Sequence, residues 1–220
     1  YQIRSAHGIL LDLGVSSMQL DDKTRGFSFL DLSAPLDMRM NQYQTKDAAK
    51  ILNNFSQNDL ETILRNGEER HFRKIAYNIC QFRKGKEIKK VGDLVEIIKK
   101  SAPNKYHRTH FATDTFRAIR LEVNDEISKL NSTIDEMVSA LCPRTRLAII
   151  TFHSIEDRIV KNKFKQLEKP CICPHKAPIC ICGLRPLVRI VTKKPIAPDN
   201  TEIQNNPRAR SAKLRIVEKL

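Results

Sequence analysis

Residues 7–13, His-Gly-Ile-Leu-Leu-Asp-Leu, make an almost continuous apolar run. It breaks at Gly14 into a turn crowded with oxygen-bearing side chains, Ser16, Ser17, Gln19 and Asp21. The run is too short for a helix and has the pattern of a strand covered on both faces. Leu147 to Phe152 is a second, β-branched run, and it too opens into hydroxyl, imidazole and charged side chains, from Thr151 to Arg158. Helical periodicity fills most of the sequence between the two. Strands interleaved with helical segments point to an α/β sheet. In such a sheet the carboxyl ends of the strands form the working edge, so the side chains after each run are the first candidates for chemistry.

The rest of the chain completes the pattern. Residues 14–44 carry small, polar and Gly/Pro punctuation and read as a structured loop. From Thr45 the sequence turns helical: Ser56 with Asp59 three residues on is a capping signal, and Phe72, Ile75, Ala76, Ile79 and Phe82 recur at helical spacing. A further helix is expected from Val91 to Lys100, before Ala102-Pro103. The stripe Phe116, Ile119, Val123, Ile127, Leu130, Ile134, Met137 and Leu141 is one bent helix or two, ended by Pro143. Ile155, Ile159, Phe164 and Leu167 mark a helix after the second strand. Leu187 to Thr192 and Lys213 to Val217 read as two final strands, a hairpin joined by a long loop. The expected architecture is therefore an α/β sheet interrupted by an all-helical insertion over residues 45–110.

Charge narrows the function. The net charge is +14 over 220 residues. Residues 65–108 hold thirteen Lys/Arg against five Asp/Glu, and residues 183–220 hold nine against three, which accounts for the whole excess. Basic charge gathered in two stretches suits a polyanion, most commonly nucleic acid phosphate; the plainer reading is a solvated basic surface. No apolar run approaches the roughly 18 residues of a membrane helix. The first residues, Tyr1-Gln-Ile-Arg-Ser5, lack secretory-signal architecture, so a cytoplasmic protein is expected. A Gly-rich strand-to-helix turn, a P-loop and a His-Glu-x-x-His are all missing from the sequence.

Five constellations have chemical potential. Asp12, Ser16, Ser17 and Gln19 follow the first strand; the carboxylate accepts hydrogen bonds and the amide both donates and accepts. Alternatively Asp12 caps the next turn and Gln19 is an exposed loop residue. His153, Ser154 and Arg158 follow the second strand, with Ser154 expected as the N-cap and Asp157 at the third helical position. There His153 is a proton acceptor or base-edge reader, or simply a structural hydrogen-bonder, and Arg158 meets a phosphate or an internal carboxylate. Pro35-Leu-Asp-Met-Arg-Met40 either lines a base pocket or packs its methionines while Asp37 pairs with Arg39. Arg208 and Arg210 precede the last strand and either grip RNA backbone or guard a sheet edge with charge. Cys171-Ile-Cys173-Pro-His175 and Cys180-Ile-Cys182-Gly183 offer four thiols, a set that suits tetrahedral zinc. The one-residue spacer is not the common knuckle of two, however. Reduced thiols or a disulfide in a surface loop read equally well, so no metal ligand is assigned from the sequence. Cys80 and Cys142 fall in apolar, helix-like patterns as small hydrophobes.

Eight blocks, taken in order, carry a family resemblance: Leu11-Asp-Leu-Gly-Val-Ser-Ser-Met-Gln-Leu-Asp21, Arg25-Gly-Phe-Ser-Phe29, Pro35-Leu-Asp-Met-Arg-Met40, Gly67-Glu-Glu-Arg-His71, Phe116-Arg-Ala-Ile-Arg120, Val123-Asn-Asp-Glu126, Phe152-His-Ser-Ile-Glu-Asp-Arg-Ile-Val160 and Asn206-Pro-Arg-Ala-Arg-Ser-Ala-Lys-Leu-Arg215. From about residue 7 to the end they resemble the MraW family of ribosomal RNA small-subunit methyltransferases. The resemblance implies a class I, Rossmann-like, S-adenosyl-L-methionine-dependent sheet with a helical insertion. It also implies methylation of N4 of a cytidine in the decoding region of bacterial 16S rRNA. The methyltransferase core would be residues 1–44 and 111–220, and the insertion over 45–110 would bind RNA. Asp12 and Gln19 match cofactor-contacting positions. Asp12, Ser16, Ser17, His153 and Ser154 are the expected catalytic set, with Asp37, Arg39, Arg158, Arg208 and Arg210 on the substrate. The family's Gly-rich turn falls before residue 1, so the resemblance implies a sheet that is N-terminally incomplete here. Ser33-Ala34 and Arg117 depart from the family's usual Asp-Gly and Gln. Two other readings stay open: an rRNA-binding module without catalysis, and an amino-methyltransferase acting on DNA.

Overall fold

The computed structural model describes residues 5–101, 110–174 and 181–220. In chain order the elements are β1 (Ala6–Asp12), α1 (Ser17–Asp21), α2 (Ala48–Asn54), α3 (Gln57–Asn66), α4 (Phe72–Gly85), α5 (Val91–Ser101), α6 (Thr113–Val123), α7 (Glu126–Ala140), β2 (Leu141–Thr151), α8 (Ser154–Glu168), β3 (Val188–Ile190), α9 (Asn200–Asn205) and β4 (Lys213–Lys219). A 3₁₀ turn over Pro207–Ser211 precedes β4. The chain folds as two compact units, one of Tyr1–Gly14 with Ile127–Leu220, the other of Val15–Glu126.

The first unit is built on a mixed sheet in the order β1-β2-β4-β3. β1 pairs parallel with β2, while β4 is antiparallel to both β2 and β3. The last two strands thus form the expected hairpin across a long connection. Leu147 and Ile149 of β2 alternate into a core shared with Leu130, Ile134 and Val138 of α7 and with Val160, Phe164 and Leu167 of α8. The i, i+4, i+8 spacing on α7 places its three residues on one stripe, and each such side chain buried contributes about 1.5–3 kcal/mol. β1 departs from expectation. Ile9 and Leu11 are half-buried, but Leu10 points outward with 66 % of its surface exposed. Among the described residues it is an edge strand covered on one face.

The second unit encloses its own core, in which Ile51, Leu52, Leu60, Leu64, Ile75, Ile79, Leu94 and Ile98 pack with Phe116 and Ile119 of α6. Phe27, Ala34, Leu36 and Met38 from the preceding loop are buried in the same cluster. The insertion expected over 45–110 is therefore better bounded at 15 and 126. Composition changes at residue 45, but burial begins with the loop and ends with α6. Gly26 holds that loop closed. Its φ is +66°, and a Cβ there would lie 2.2 Å from the Pro35 carbonyl oxygen, a space no side chain can share. Beside it Arg25 Nη2 donates to the Arg39 carbonyl at 2.6 Å.

Two smaller expectations change, and an open one is resolved. The segment read as a structured loop contains α1, a single turn whose capping signal is hidden among the punctuation. The long apolar stripe is two helices, broken where Asp125 takes φ +50°, a conformation Asp tolerates better than most residues. α7 stops at Ala140, so Leu141 and Cys142 open β2 instead of closing a helix. The capping box of Ser56 with Asp59 is present as read. Among the described residues no helix is long and apolar enough to cross a membrane.

Candidate active site

In the first unit the parallel pairing of β1 and β2 puts two carboxyl ends side by side. Asp12 stands opposite Ile150, and Leu13 N–H donates to the Ile150 carbonyl at 3.1 Å. The chain leaving β2 at that edge is Thr151-Phe152-His153-Ser154. Asp12 is exposed there and makes no ion pair with the described residues.

The turn into α8 is capped by His153, not by Ser154 as expected. His153 Nδ1 accepts from Glu156 N–H at 3.3 Å, and Ser154 becomes the first helical residue, exposed to solvent. The cap sits one residue early because a ring nitrogen reaches the third helical N–H as well as a hydroxyl would. Glu156, not Asp157, occupies that third position. It is buried, and its Oε2 accepts from Phe152 N–H at 2.9 Å. His153 Nε2 lies 3.0 Å from Glu156 Oε1, but without the alignment of a hydrogen bond. The plainer reading of His153 as a structural hydrogen-bonder is the one the geometry supports. Arg158 is exposed on α8, and Arg208 and Arg210 are exposed on the 3₁₀ turn.

In the second unit Ser16 and Gln19 form a reciprocal capping box: Gln19 N–H donates to Ser16 Oγ at 3.2 Å and Ser16 N–H to Gln19 Oε1 at 2.9 Å. Ser17 is the exposed first residue of α1. The box occupies the Gln19 carbonyl oxygen and leaves its amide N–H₂ pointing elsewhere. Asp37 and Arg39 pair with each other, Nε to Oδ1 at 2.8 Å and Nη2 to Oδ2 at 2.7 Å. Arg39 Nη1 also donates to the carbonyls of Gln42 and Gln44. Burial pushes the Asp37 carboxyl up, yet the hydrogen bonds and charge of Arg39 outweigh it and hold the group below its usual range. Between them Met38 is 0 % exposed with φ +61°. Asn124 locks this turn, accepting from Met40 N–H at 2.7 Å and donating to the Met38 carbonyl at 2.8 Å. The Asp37–Arg39 pair thus builds a loop, and most of its hydrogen-bonding capacity is spent inside the unit.

Two basic surfaces complete the description. A cavity of about 610 Å³ in the first unit is lined by Lys161, Lys165, Lys169 and Lys193 around Phe164, Ile190 and Thr192. Sequence reasoning missed it, although Lys161 and Lys165 of α8 and Lys169 at its C-cap fall at i, i+4 and i+8. In the second unit α4 presents Arg73, Lys74 and Lys84 beside Tyr77, whose ring is 51 % exposed. Of the cysteines, Cys171, Cys173 and Cys182 converge, with their sulfurs within 4.8 Å of one another. Cys180 and His175 lie outside the described residues.

In open α/β sheets ligands bind outside the carboxyl ends of the strands, and here that edge carries the exposed Asp12. The particular family follows from comparison. The sequence profile of the MraW methylase family matches residues 1–220, and the chain belongs to that family of methyltransferases. It is 52 % identical over 220 residues to the ribosomal RNA small subunit methyltransferase H of Clostridium botulinum strain 657, covering 99 % of this chain and 71 % of that protein. It is 46 % identical to ribosomal RNA small subunit methyltransferase H 2 of Agathobacter rectalis, covering 99 % of this chain and 70 % of that protein.

Proposed function

We propose that the chain acts in the cytoplasm on the small ribosomal subunit, transferring a methyl group from S-adenosyl-L-methionine to N4 of a cytidine in the decoding region of 16S rRNA. The sheet is then a class I, Rossmann-like one. The observation that carries the reading is the register of β1 on β2, which sets the exposed Asp12 carboxylate beside the His153 turn at one sheet edge. The names of the relatives support the rRNA substrate.

The residues present fit such a cofactor. An exposed carboxylate at the end of β1 accepts from hydroxyl or ammonium donors. S-adenosyl-L-methionine supplies an electrophilic methyl carried on a sulfonium. The chain's own task is to prepare the amine. The exocyclic nitrogen of cytosine is a poor nucleophile because its lone pair conjugates with the ring. An acceptor such as the Asp12 carboxylate holds an amine hydrogen and turns the lone pair outward. Orientation of the amine in line with the methyl contributes much of the rate. The base must leave its stack to be reached. His153 and Ser154 shape the turn beside Asp12, and Asp37–Arg39 hold the substrate loop rigid. Arg158, Arg208, Arg210, the α8 lysines and the α4 face meet phosphates.

The test is methyl incorporation into small subunits lacking the modification, with nucleosides resolved by mass spectrometry. N4-methylcytidine that disappears with Asp12→Asn supports the reading. Binding of rRNA without incorporation, or preference for duplex DNA, overturns it.

A further inference from the structure

Among its described residues, the loop joining α8 to β3 buries no side chain. Its base is closed, since Leu187 N–H donates to the Leu167 carbonyl at 3.0 Å and Ile190 N–H to Glu168 Oε1 at 2.8 Å. Beyond that base Ile172 is 79 % exposed and Ile181 88 % exposed. Stretches that bury so little apolar surface as residues 169–174 and 181–187 need another source of order. The cysteines stand where that source would be. Cys182 Sγ lies 3.8 Å from Cys171 Sγ, and Cys173 Sγ is within 4.8 Å of both.

Those separations exclude a disulfide between Cys171 and Cys182 and match a shared ion as well as they match a thiol–thiol hydrogen bond. A disulfide requires sulfurs about 2.05 Å apart, so this pair is not bonded. Donors placed tetrahedrally about 2.3 Å from one ion stand about 3.8 Å from each other, the Cys171–Cys182 distance. Thiolates select zinc among the common divalent ions, and Zn²⁺ accepts the regular tetrahedron without preference from its filled d shell. The one-residue spacer that argued against a knuckle matters less than it did in sequence. Cys171 and Cys173 supply two corners from one stretch, and Cys182 returns across the loop with the third.

We infer that Cys171, Cys173 and Cys182 are ligands of a structural zinc ion that clips the α8–β3 loop, with one corner left for a fourth donor. The ion closes a ring between Cys171 and Cys182 and does for this loop what a core does elsewhere. It takes no part in methyl transfer.

The chain is purified in reductant without chelator, and its metal content is measured by mass spectrometry. About one zinc per chain is expected. Cys171→Ser, Cys173→Ser and Cys182→Ser each lose bound zinc, while Cys80→Ser and Cys142→Ser keep it. Chelation speeds proteolytic cleavage within residues 169–187 and leaves far-UV circular dichroism nearly unchanged. Should the serine variants fail to fold, X-ray absorption on the unaltered protein decides, with Zn–S distances of about 2.3 Å expected. Failure to take up zinc on reconstitution in reductant, a zinc shell of oxygen and nitrogen alone, or full zinc retained in the triple variant overturns the assignment. None of these outcomes depends on methyltransferase activity, so failure here and failure of the proposed reaction are separable.

Discussion

Arg215 on β4 and Asp157 on α8 form a two-point ion pair, Nε to Oδ1 at 2.6 Å and Nη2 to Oδ2 at 3.2 Å. Both residues are buried, and Lys213 Nζ adds a third contact to Asp157 Oδ2 at 3.2 Å. The pair fastens the helix that carries the His153 turn to the strand paired with β2. Burial raises the Asp157 carboxyl, but hydrogen bonds and charge from Arg215 and Lys213 outweigh it and hold the group below its usual range. A depressed carboxyl stabilises the fold fully above its unfolded value of about 3.9, and that contribution is lost as pH falls through the lower folded value. Asp157→Asn leaves Arg215 buried without its anion, so a loss of about 3–5 kcal/mol at neutral pH is expected by urea titration. The variant's stability also falls less steeply than the parent's below about pH 4. An acid limb unchanged by the substitution would refute the assignment.

Asn124 is the second such fastening. It satisfies Met40 N–H and the Met38 carbonyl at once, and a third bond runs from its amide to the Arg120 carbonyl at 2.9 Å. Met38 keeps its left-handed φ because the backbone on either side is held. Asn124→Ala strands two backbone groups in a half-buried setting, and about 2–4 kcal/mol of stability should go with them. Asn124→Asp keeps the acceptor for Met40 N–H but loses both donations, so it should fall between the parent and the alanine variant. Chemical denaturation of the three proteins orders them.

Much of this was legible in the sequence, and what was not has a common cause. Periodicity located α3, α4, α5 and α8 because their buried residues recur on one helical face. The hairpin and both parallel strands were readable from short apolar and β-branched runs. The unit boundary was not, since burial of Phe27, Leu36 and Met38 is a tertiary fact that a punctuated loop conceals. The cap of α8 was misplaced by one residue because His competes for a role usually filled by Ser. Nor could the site residues be separated into builders and binders. Arg39 and Arg208 look alike in sequence, but one is enclosed by Asp37 and backbone carbonyls while the other stands exposed. Motif blocks prove to be paired in space: Asn124 holds Met38 and Met40, and Arg117 Nη2 donates to the Gly67 carbonyl at 3.0 Å.

Gly67 shows how close one of those paired approaches is. A Cβ added there would fall 2.2 Å from the Ala118 Cβ, where α3 ends against α6. Arg117 secures the same contact by donating to the Gly67 carbonyl at 3.0 Å while pairing with Asp114, which gives a role to a residue that departs from the family's usual Gln. Gly67→Ala must therefore separate the two helices. A destabilisation of about 1–3 kcal/mol or more is expected from overpacking. Ala118→Gly in the same chain should recover part of it, because the second change removes the atom that clashes. Thermal melts of the single and double variants measure the recovery, and additive losses would show that the helices already yield at this point.

The α4 face offers a test of the RNA reading that does not depend on catalysis. Arg73 and Lys74 are exposed one turn from Tyr77, and Arg73 also lies over the Phe72 ring with its guanidinium carbon 5.1 Å from the centroid. Cations that track phosphates beside an aromatic on which bases stack are the working parts of a single-strand RNA surface. Each phosphate neutralised releases counterions, and for single strands the binding constant falls with salt at a log–log slope of about −0.7 per contact. Lys74→Gln should weaken binding of a 16S rRNA fragment and flatten that slope by about one contact, whatever the fragment's sequence. Tyr77→Ala should weaken it by about 1–3 kcal/mol while leaving the slope alone, since stacking releases no ions. Far-UV circular dichroism should match the parent for both, because neither side chain enters the core. A slope unmoved by Lys74→Gln would place the RNA on another face, with the α8 lysines next to be tested.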